Sequence, residues 1–378
     1  MKRVIIHYPY IPSYRVPVFN ELSKNLDVIY LSALSSPDKT IKSDNVNWKF
    51  KHHETNLKQF SLFGKKYDYE TKVFRHLWKY RKEASHYIVL SNPNILTSWL
   101  YSILAKILGY KVVFWGHGLL KEDAGVKALI RKVYYSLADQ FLLYGNRGKE
   151  LLINAGISSS KIKVIYNSLD YEQQKKYRLS LEGKKNDLRL RMGFNPDDVI
   201  LVCMGRLVTK LKIDKLISLL GQKKDLFSNY KLIVIGDGPE RKRLEELVRE
   251  YKIEGKVKFI GKLYDEESIS NYYMMADASV VMGIVGLAAM HSLAYGIPLI
   301  THSNLDEHCP EVEAIINKET GYFFEQDNEQ SLIETLLYLN RAQDLKKIKQ
   351  NCIDIIEEYY TPQKQSFFIK SALYEKKN

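Results

Sequence analysis

GIVGLAAMHSLAYGIP, residues 283–298, is the stretch from which the rest of this chain can be read. It follows an apolar run at 278–282 that predicts a buried strand. Residues 283–286 then read as a tight turn and 287–295 as a short helix stopped by Gly296 and Pro298. Gly286 has no Cβ, so a ligand could approach the backbone there, and the unmet N–H groups of the helix's first turn would face it. Such a terminus suits a phosphate. His291 stands on the second turn, and helical side chains lean toward the N-terminus, so its imidazole could reach an occupant of the turn. Strand, glycine turn and helix recur throughout α/β proteins, so this stretch states a geometry before it states a function.

Working outward, the same alternation extends on both sides. In the second half, strands at 199–204, 231–235, 257–260 and 299–302 alternate with helices after Ile213 and at 240–250 and 266–275. Helices near 329–340 and 344–359 close the series. In the first half a strand at 3–7 leads into YPYIPSYRVP, too rich in Pro and Tyr for a helix, then a helix at 16–24 and a strand at 27–31. The polar stretch 35–66 reads as loops, followed by one helix near 69–83. Strands at 87–90, 111–115, 140–144 and 162–166 then alternate with helices at 95–108, 124–137 and 147–155. Such alternation predicts an α/β protein with parallel, doubly wound sheets.

A chain of 378 residues exceeds the size of one ordinary core, so two Rossmann-like domains are expected, 1–170 and 196–360. The polar stretch 171–195, with its KK and RLR clusters, reads as their linker, and 361–378 as a segment returning to the first domain. Two such domains would face each other across a cleft lined by strand C-termini, where doubly wound sheets place ligands.

Cys203, Cys309 and Cys352 form no C-x-x-C pair and leave an odd one, which predicts a reducing cytoplasmic setting and no structural metal. The chain opens directly into a strand pattern, and no apolar run nears the roughly 18 residues of a membrane span, so a soluble or peripheral protein is expected. The net charge is +13; residues 1–170 hold 26 Lys and Arg against 13 Asp and Glu, whereas 171–378 hold 31 against 31. An excess confined to the first half points to an anionic surface there, a membrane leaflet or nucleic acid, unless it is a plain solvated face. No nucleic-acid module accompanies it, so nucleic acid is not expected as a partner. The segment VKALIRKVYY at 126–135 has helical spacing that could lay an apolar face on a membrane beside Lys127, Arg131 and Lys132. It could equally be a buried helix with a basic edge.

A family resemblance rests on GRL at 205–207, GDGP at 236–239, FIG at 259–261, Ala276 with Asp277, and the G-L-x6-A-x-G-x-P pattern from Gly286 to Pro298. Pro310 with Glu311, and Thr320 with Gly321, extend it. In this order the motifs resemble the retaining GT-B glycosyltransferases of family 4. YRVP at 14–17 and GHG at 116–118 carry the resemblance more loosely into the first half. The resemblance implies a GT-B fold, a nucleotide-diphosphate sugar as co-substrate, no cofactor and no metal. The D-x-D motif of the other major glycosyltransferase fold is absent from the sequence. It implies a glycan or lipid-linked glycan acceptor in surface polysaccharide or glycoconjugate synthesis, and an enzyme held peripherally at the inner face of the cell membrane.

Residue by residue, the resemblance puts Arg206 on the diphosphate, as its guanidinium fork would suit. The family's lysine falls at Leu211, so Lys210 or Lys212 must supply it. The backbone at Val285, Gly286 and Leu287 would hold the distal phosphate. Lys262 and Leu263 fall on the base-contacting segment, and Glu311 on the donor side. The family's two-glutamate signature, E-x7-E, aligns with Gly283 and His291, so neither carboxylate is present. His291 can still hydrogen-bond a ribose hydroxyl. His117, between two glycines at a strand end, matches a histidine that touches the donor sugar, and with Arg206 it is the expected catalytic residue. The leaving diphosphate would be stabilised by Arg206, a lysine and N–H dipoles. Two other readings stay open: a GT-B sugar-nucleotide 2-epimerase or hydrolase, whose cleft carboxylates are not evident here, and a catalytically silent nucleotide-sugar-binding protein.

Overall fold

The computed structural model describes residues 2–35, 48–62, 65–339 and 345–374. The chain divides into two compact units, Met1–Asp170 with Thr361–Asn378, and Tyr171–Tyr360.

The first unit runs β1 (Arg3–Tyr10), α1 (Val16–Asn25), β2 (Val28–Ala33), β3 (His52–Glu54), β4 (Asn56–Leu62), β5 (Lys65–Thr71), α2 (Val73–Tyr80), β6 (Ala84–Leu90) and α3 (Leu96–Ile107). It continues with β7 (Lys111–Gly116), α4 (Gly125–Ser136), β8 (Gln140–Leu143), α5 (Asn146–Asn154) and β9 (Ile162–Val164). Seven strands pair in parallel in the order β3-β2-β1-β6-β7-β8-β9. Because helices cover both faces of the sheet, its strands are apolar on both sides. Along β1, Val4, Ile6 and Tyr8 enter the core under α1, while Ile5 enters the core under α2, α3 and α4. The C-terminal helix Pro362–Tyr374 buries Ile369 and Leu373 in the α1 core, and its Gln365 is bonded to the Tyr166 carbonyl and the Ser168 hydroxyl.

One expectation for this unit changes, and one open reading is decided. The stretch 35–66, read as loops, contains β3 and β4, β4 forms an antiparallel hairpin with β5, and the expected 69–83 helix shrinks to α2. The hairpin is polar along most of its length, with Lys58, Gln59 and Asp68 in its strands, so it lacks the apolar alternation that signals a strand. Residues 36–47 and 63–64 of that stretch lie outside the described residues. On α4, for which both an outward and a buried apolar face stood open, the apolar side is not buried. Val126, Leu129, Ile130 and Val133 are exposed, as are Leu100, Ile103 and Ile107 on neighbouring α3, which meets α4 through the Trp99 and Tyr134 rings. Lys132 is exposed too, while Lys127 and Arg131 both pair with Asp123. No helix among the described residues is long and apolar enough to cross a membrane.

The second unit runs α6 (Tyr171–Ser180), α7 (Lys185–Arg191), β10 (Val199–Met204), α8 (Ile213–Gln222), β11 (Tyr230–Ile235), α9 (Arg241–Glu250), β12 (Val257–Gly261), α10 (Glu266–Met275) and β13 (Ala278–Val281). After these come α11 (Leu287–Ala294), β14 (Leu299–His302), β15 (Gly321–Phe324), α12 (Glu329–Leu339) and α13 (Leu345–Tyr359). Its six strands pair in parallel in the order β12-β11-β10-β13-β14-β15. The segment 171–195 is not a linker but the helices α6 and α7, built into this unit. It reads as polar because its buried arginines close helix ends: Arg178 donates to the Ala294 carbonyl at the end of α11, and Arg189 to the Met275 carbonyl at the end of α10. Those C-terminal carbonyls have no partner within their own helices, and a guanidinium has donors to spare for them. Arg189 also reaches Asp277 at 2.6 Å, and the same carboxylate oxygen accepts from Ile200 N–H at 2.7 Å, so the Ala-Asp pair is a structural joint.

Candidate functional site

In the second unit, three turns at the C-terminal ends of β10, β11 and β13 meet so closely that only glycine fits. A Cβ on Gly236 would lie 1.8 Å from the Gly205 carbonyl oxygen, one on Gly238 2.3 Å from that of Leu207, and one on Gly283 1.9 Å from that of Lys210. Each contact is backbone against backbone, so none can be relieved by turning a side chain. The absence of a carboxylate at 283 therefore has a structural cause: the Thr209–Leu211 turn occupies the place where its Cβ would stand.

Beyond Gly283 the turn is held from the other side. Val285 N–H donates to His308 Nδ1 at 3.1 Å, and Cys309 N–H donates to the Val285 carbonyl at 2.9 Å. His308 Nε2 lies 2.9 Å from the His302 carbonyl. One ring nitrogen accepts and the other donates, which fixes His308 as the neutral Nε2–H tautomer, and burial lowers its pKa in the same sense. Val285 N–H is thus already spoken for, contrary to its expected part in phosphate binding. The N–H groups of Gly286 and Leu287 meet no acceptor among the described residues, and nothing lies within 4 Å of where a Gly286 Cβ would be. The start of α11 therefore offers open backbone donors with the positive end of the helix behind them.

The cations differ in their freedom. Arg206 and Lys210 are exposed and make no hydrogen bond or ion pair with a described residue, and the same holds for Lys262 at the end of β12. Lys212, in the left-handed region at φ 51°, is instead held by Glu307 at 3.2 Å. Leu263 is half-buried against the core of this unit, and Glu311 is buried on the 3-10 turn Pro310–Ala314.

His291 does not aim simply into the turn. Its ring lies parallel to Tyr273, its Nδ1 stands 3.3 Å from Glu266 Oε1 and 3.1 Å from the Gln174 amide, and Tyr295 donates to Glu266 at 2.7 Å. Burial pushes the Glu266 pKa up, but the His291 charge and the hydrogen bonds from His291, Tyr295 and Gln174 outweigh it, leaving the carboxyl below its usual value. A carboxylate therefore stands beside His291, supplied by α10 rather than α11. Sequence reasoning missed Glu266; its place at the start of a helix following the Lys262–Leu263 segment was the available signal.

In the first unit, His117 follows β7 and is exposed, with its ring edge-on to Tyr144 at 5.1 Å. Gly118 makes the turn at φ 69°, and Gly148 lets α5 approach, since a Cβ there would lie 2.6 Å from the His117 carbonyl oxygen. Tyr144 is in turn bonded to Arg15, a buried guanidinium that donates to Tyr144 Oη at 2.7 Å and Asn167 Oδ1 at 2.5 Å and lies over the Tyr144 ring. Arg15 comes from the YRVP segment, so that motif braces the tyrosine against which His117 rests.

Residues 184–354 match the family described as Glycosyl transferases group 1. The second unit carries a glycosyl transferases group 1 domain. Among curated relatives, the chain is 29% identical over 161 residues to a phosphatidylinositol N-acetylglucosaminyltransferase subunit of Arabidopsis thaliana, covering 42% of this chain and 33% of that protein. It is 25% identical over 226 residues to alpha-monoglucosyldiacylglycerol synthase of Streptococcus pneumoniae, covering 58% of this chain and 49% of that one. The chain thus spans about a third to a half of the length of these relatives. Among solved structures, Anabaena Alr3699/HepE in complex with UDP superimposes with a TM-score of 0.74 over 99% of both chains at 15% identity. At that identity the likeness is one of fold, and the fold is that of the GT-B glycosyltransferases. In this glycosyl transferases group 1 domain, the open N-terminus of α11 and the exposed Arg206 belong to the matched segment, whereas His117 and Arg15 lie outside it.

Proposed function

We propose that this protein is a retaining glycosyltransferase that moves a sugar from a nucleoside-diphosphate donor to a lipid-linked glycan or glycolipid acceptor at the cytoplasmic face of a membrane. The observation that carries the donor half is the start of α11, with unmet N–H groups at Gly286 and Leu287, together with Arg206 and Lys210 on the loop after β10 that closes on Gly283, both without a partner among the described residues. Preorganised donors and cations of this kind stabilise the negative charge that grows on a departing diphosphate and need no reorganisation to do so. Lys212 joins them by leaving Glu307. The Glu266 carboxylate and His291 supply the hydroxyl contacts for which the family resemblance uses a glutamate at position 291. His117 acts in turnover rather than in holding the diphosphate.

The acceptor half rests on the exposed apolar side of α3 and α4 in the unit that holds the entire charge excess. Exposed apolar patches rimmed by basic residues mark contact surfaces, and on an anionic leaflet each basic residue adds roughly 1 kcal/mol. Two of the relatives carry phosphatidylinositol or diacylglycerol in their names, which accords with a lipid-bearing acceptor. One observation favours a second reading, a nucleotide-sugar-binding protein without turnover: position 283 has no room for a carboxylate.

The test is incubation of the full chain with UDP-, GDP- and dTDP-sugars, with and without membrane lipid extract. Heat stabilisation identifies the donor, since a bound ligand raises the melting temperature by mass action. Slow donor hydrolysis and transfer with retained anomeric configuration support the enzyme; stabilisation with neither supports the binding protein; inversion at C2 of the donor would make it an epimerase.

A further inference from the structure

Arg15 is 3% exposed, yet no carboxylate pairs with it among the described residues. Its partners are neutral: it donates to Tyr144 Oη at 2.7 Å and to Asn167 Oδ1 at 2.5 Å, with the Tyr8 and Tyr14 side chains beside it, while its Nε meets no acceptor. Burial pushes the Tyr144 hydroxyl pKa well up against the opposing pull of Arg15, so the phenol keeps its proton and is no counter-charge. A buried cation without an anion is costly, and an apolar side chain of similar volume would fill the space at less cost. Stability alone therefore does not account for an arginine here. What arginine adds is a planar fork of fixed direction that holds two oxygens at once.

Both residues so held are fixed from other sides. Asn167 Oδ1 also accepts from the Ser168 N–H at 3.0 Å, and the Tyr144 N–H donates to the Gly116 carbonyl at 3.3 Å. The second bond sets Tyr144 and His117 side by side, at the ends of the adjacent parallel strands β8 and β7. There the imidazole stands 5.1 Å from the Tyr144 ring at 73°. Tyr144 is buried and His117 exposed, so the phenol ring is the floor on which the imidazole rests. A ring tethered at its far end by the hydroxyl cannot swing about Cα–Cβ, and an edge-to-face partner follows its direction. The His117 backbone is held as well, where its carbonyl packs against Gly148.

We infer that Arg15 is a positioning residue for His117: by tying the Tyr144 hydroxyl to Asn167 it fixes the ring that orients the imidazole. The inference rests on the reading that His117 acts in turnover, and it adds the residue through which the YRVP segment takes part. Being buried, Arg15 acts through Tyr144 and not by touching substrate.

The experiment compares Tyr144→Phe, Arg15→Lys and Arg15→Met in the full chain, each also in a His117→Ala background. Tyr144→Phe keeps the ring and removes only the tethered oxygen, so it serves where an Arg15 variant fails to fold. With the donor that heat stabilisation selects, kcat should fall about fivefold for Tyr144→Phe and about tenfold for Arg15→Met, with diphosphate affinity within about twofold. Arg15→Lys keeps the charge without the fork and should not restore turnover. In the His117→Ala background the same substitutions should lower kcat no further, because the residue they position is gone. Isotope-edited NMR of the histidine rings, with His117 assigned by its loss in His117→Ala, should show the His117 signals displaced in Tyr144→Phe. Unmoved His117 signals overturn the inference, as does a loss of turnover that persists undiminished without His117. Turnover untouched by every Tyr144 and Arg15 substitution, when His117→Ala lowers it, overturns it too. Full turnover by His117→Ala, or none by wild type, would instead sink the reading of His117 as acting in turnover, and the NMR signals then decide the positioning alone.

Discussion

Two strand ends carry the candidate chemistry, and they present different parts of the chain. After β7, Gly148 lets the His117 carbonyl close onto α5, and the exposed His117 side chain is what the turn presents. After β13, Gly283 lets another backbone close in, His308 takes up the next N–H but one, and what the turn presents is bare main chain at Gly286 and Leu287. Strand, glycine and helix therefore do not define a site by themselves. At both ends a glycine lets another backbone close in, and what differs is whether the turn then presents a side chain or bare main chain. A side-chain site tolerates changes in the turn and fails when its one residue is removed, whereas a backbone site depends on the packing that sets the angle of its N–H groups.

The strongest test of that contrast is to put a side chain on Gly283. Gly283→Ala should lower stability by about 1–3 kcal/mol in urea unfolding, the usual cost of overpacking, and Gly283→Glu by more, although the latter restores the residue that the family resemblance places there. A stable Gly283→Glu protein with tighter donor binding would show that the Thr209–Leu211 turn yields freely and that the comparison is drawn too sharply.

Next comes Arg206→Ala. The loss of a charge-assisted contact should weaken binding of the free nucleoside diphosphate by about tenfold, and transfer by at least as much. Unchanged diphosphate affinity in calorimetry would remove Arg206 from the site.

His117→Ala should leave diphosphate affinity within about twofold while lowering kcat severalfold, the signature of a contact made in turnover rather than in binding. Turnover equal to wild type would reduce His117 to a loop residue, and the first strand end would lose its claim.

Acid should act on the second turn, as it should on the buried His76 and His86 of the first unit, whose pKa values are likewise held down at about 4. The folded pKa of His302 is held down at about 4 and that of His308 is also depressed, against an ordinary value near 6.5. Below pH 6.5 the unfolded chain takes up protons at these positions that the folded chain refuses. Stability is therefore fully present above that pH and declines toward pH 4, by up to about 1.4 kcal/mol per pH unit for each histidine. His308→Asn should flatten the dependence between pH 7 and 5; an unchanged slope would mean that the His308 ring does not resist protonation.

Lipid contact is measured separately by liposome flotation. Replacing Ile103, Ile130 and Val133 by Ser should reduce recovery with anionic vesicles without altering diphosphate affinity, since these side chains are exposed and touch neither turn. Equal recovery of the variant and wild type would leave the α3 and α4 face without a role.

Much of the second unit was legible before any coordinates. The strands 199–204 and 299–302 and the helix 266–275 have the observed bounds, because uninterrupted apolar runs and glycine or proline stops are local signals. The polar hairpin β4–β5 and the helices α6 and α7 were not legible. Their apolar periodicity is weak, and what secures α6 and α7 is arginine donated to helix ends distant in sequence. The outward apolar side of α4 was half legible: the spacing of Val126, Leu129, Ile130 and Val133 revealed a stripe, but a stripe does not say which way it faces.

The sequence by itself determined the alternation of strands and helices, the glycine positions at the strand ends, the family pattern they follow and the lopsided charge, all properties of residues close together in the chain or simply counted. Only the tertiary structure decided that Gly283 is closed by the Lys210 carbonyl, that Val285 N–H is taken by His308, that Glu266 stands beside His291, and that neither ring nitrogen of the buried His302 has a partner among the described residues. Each of these joins residues about 20 or more positions apart, or depends on what a side chain fails to meet in space, and neither can be read from a pattern along one chain.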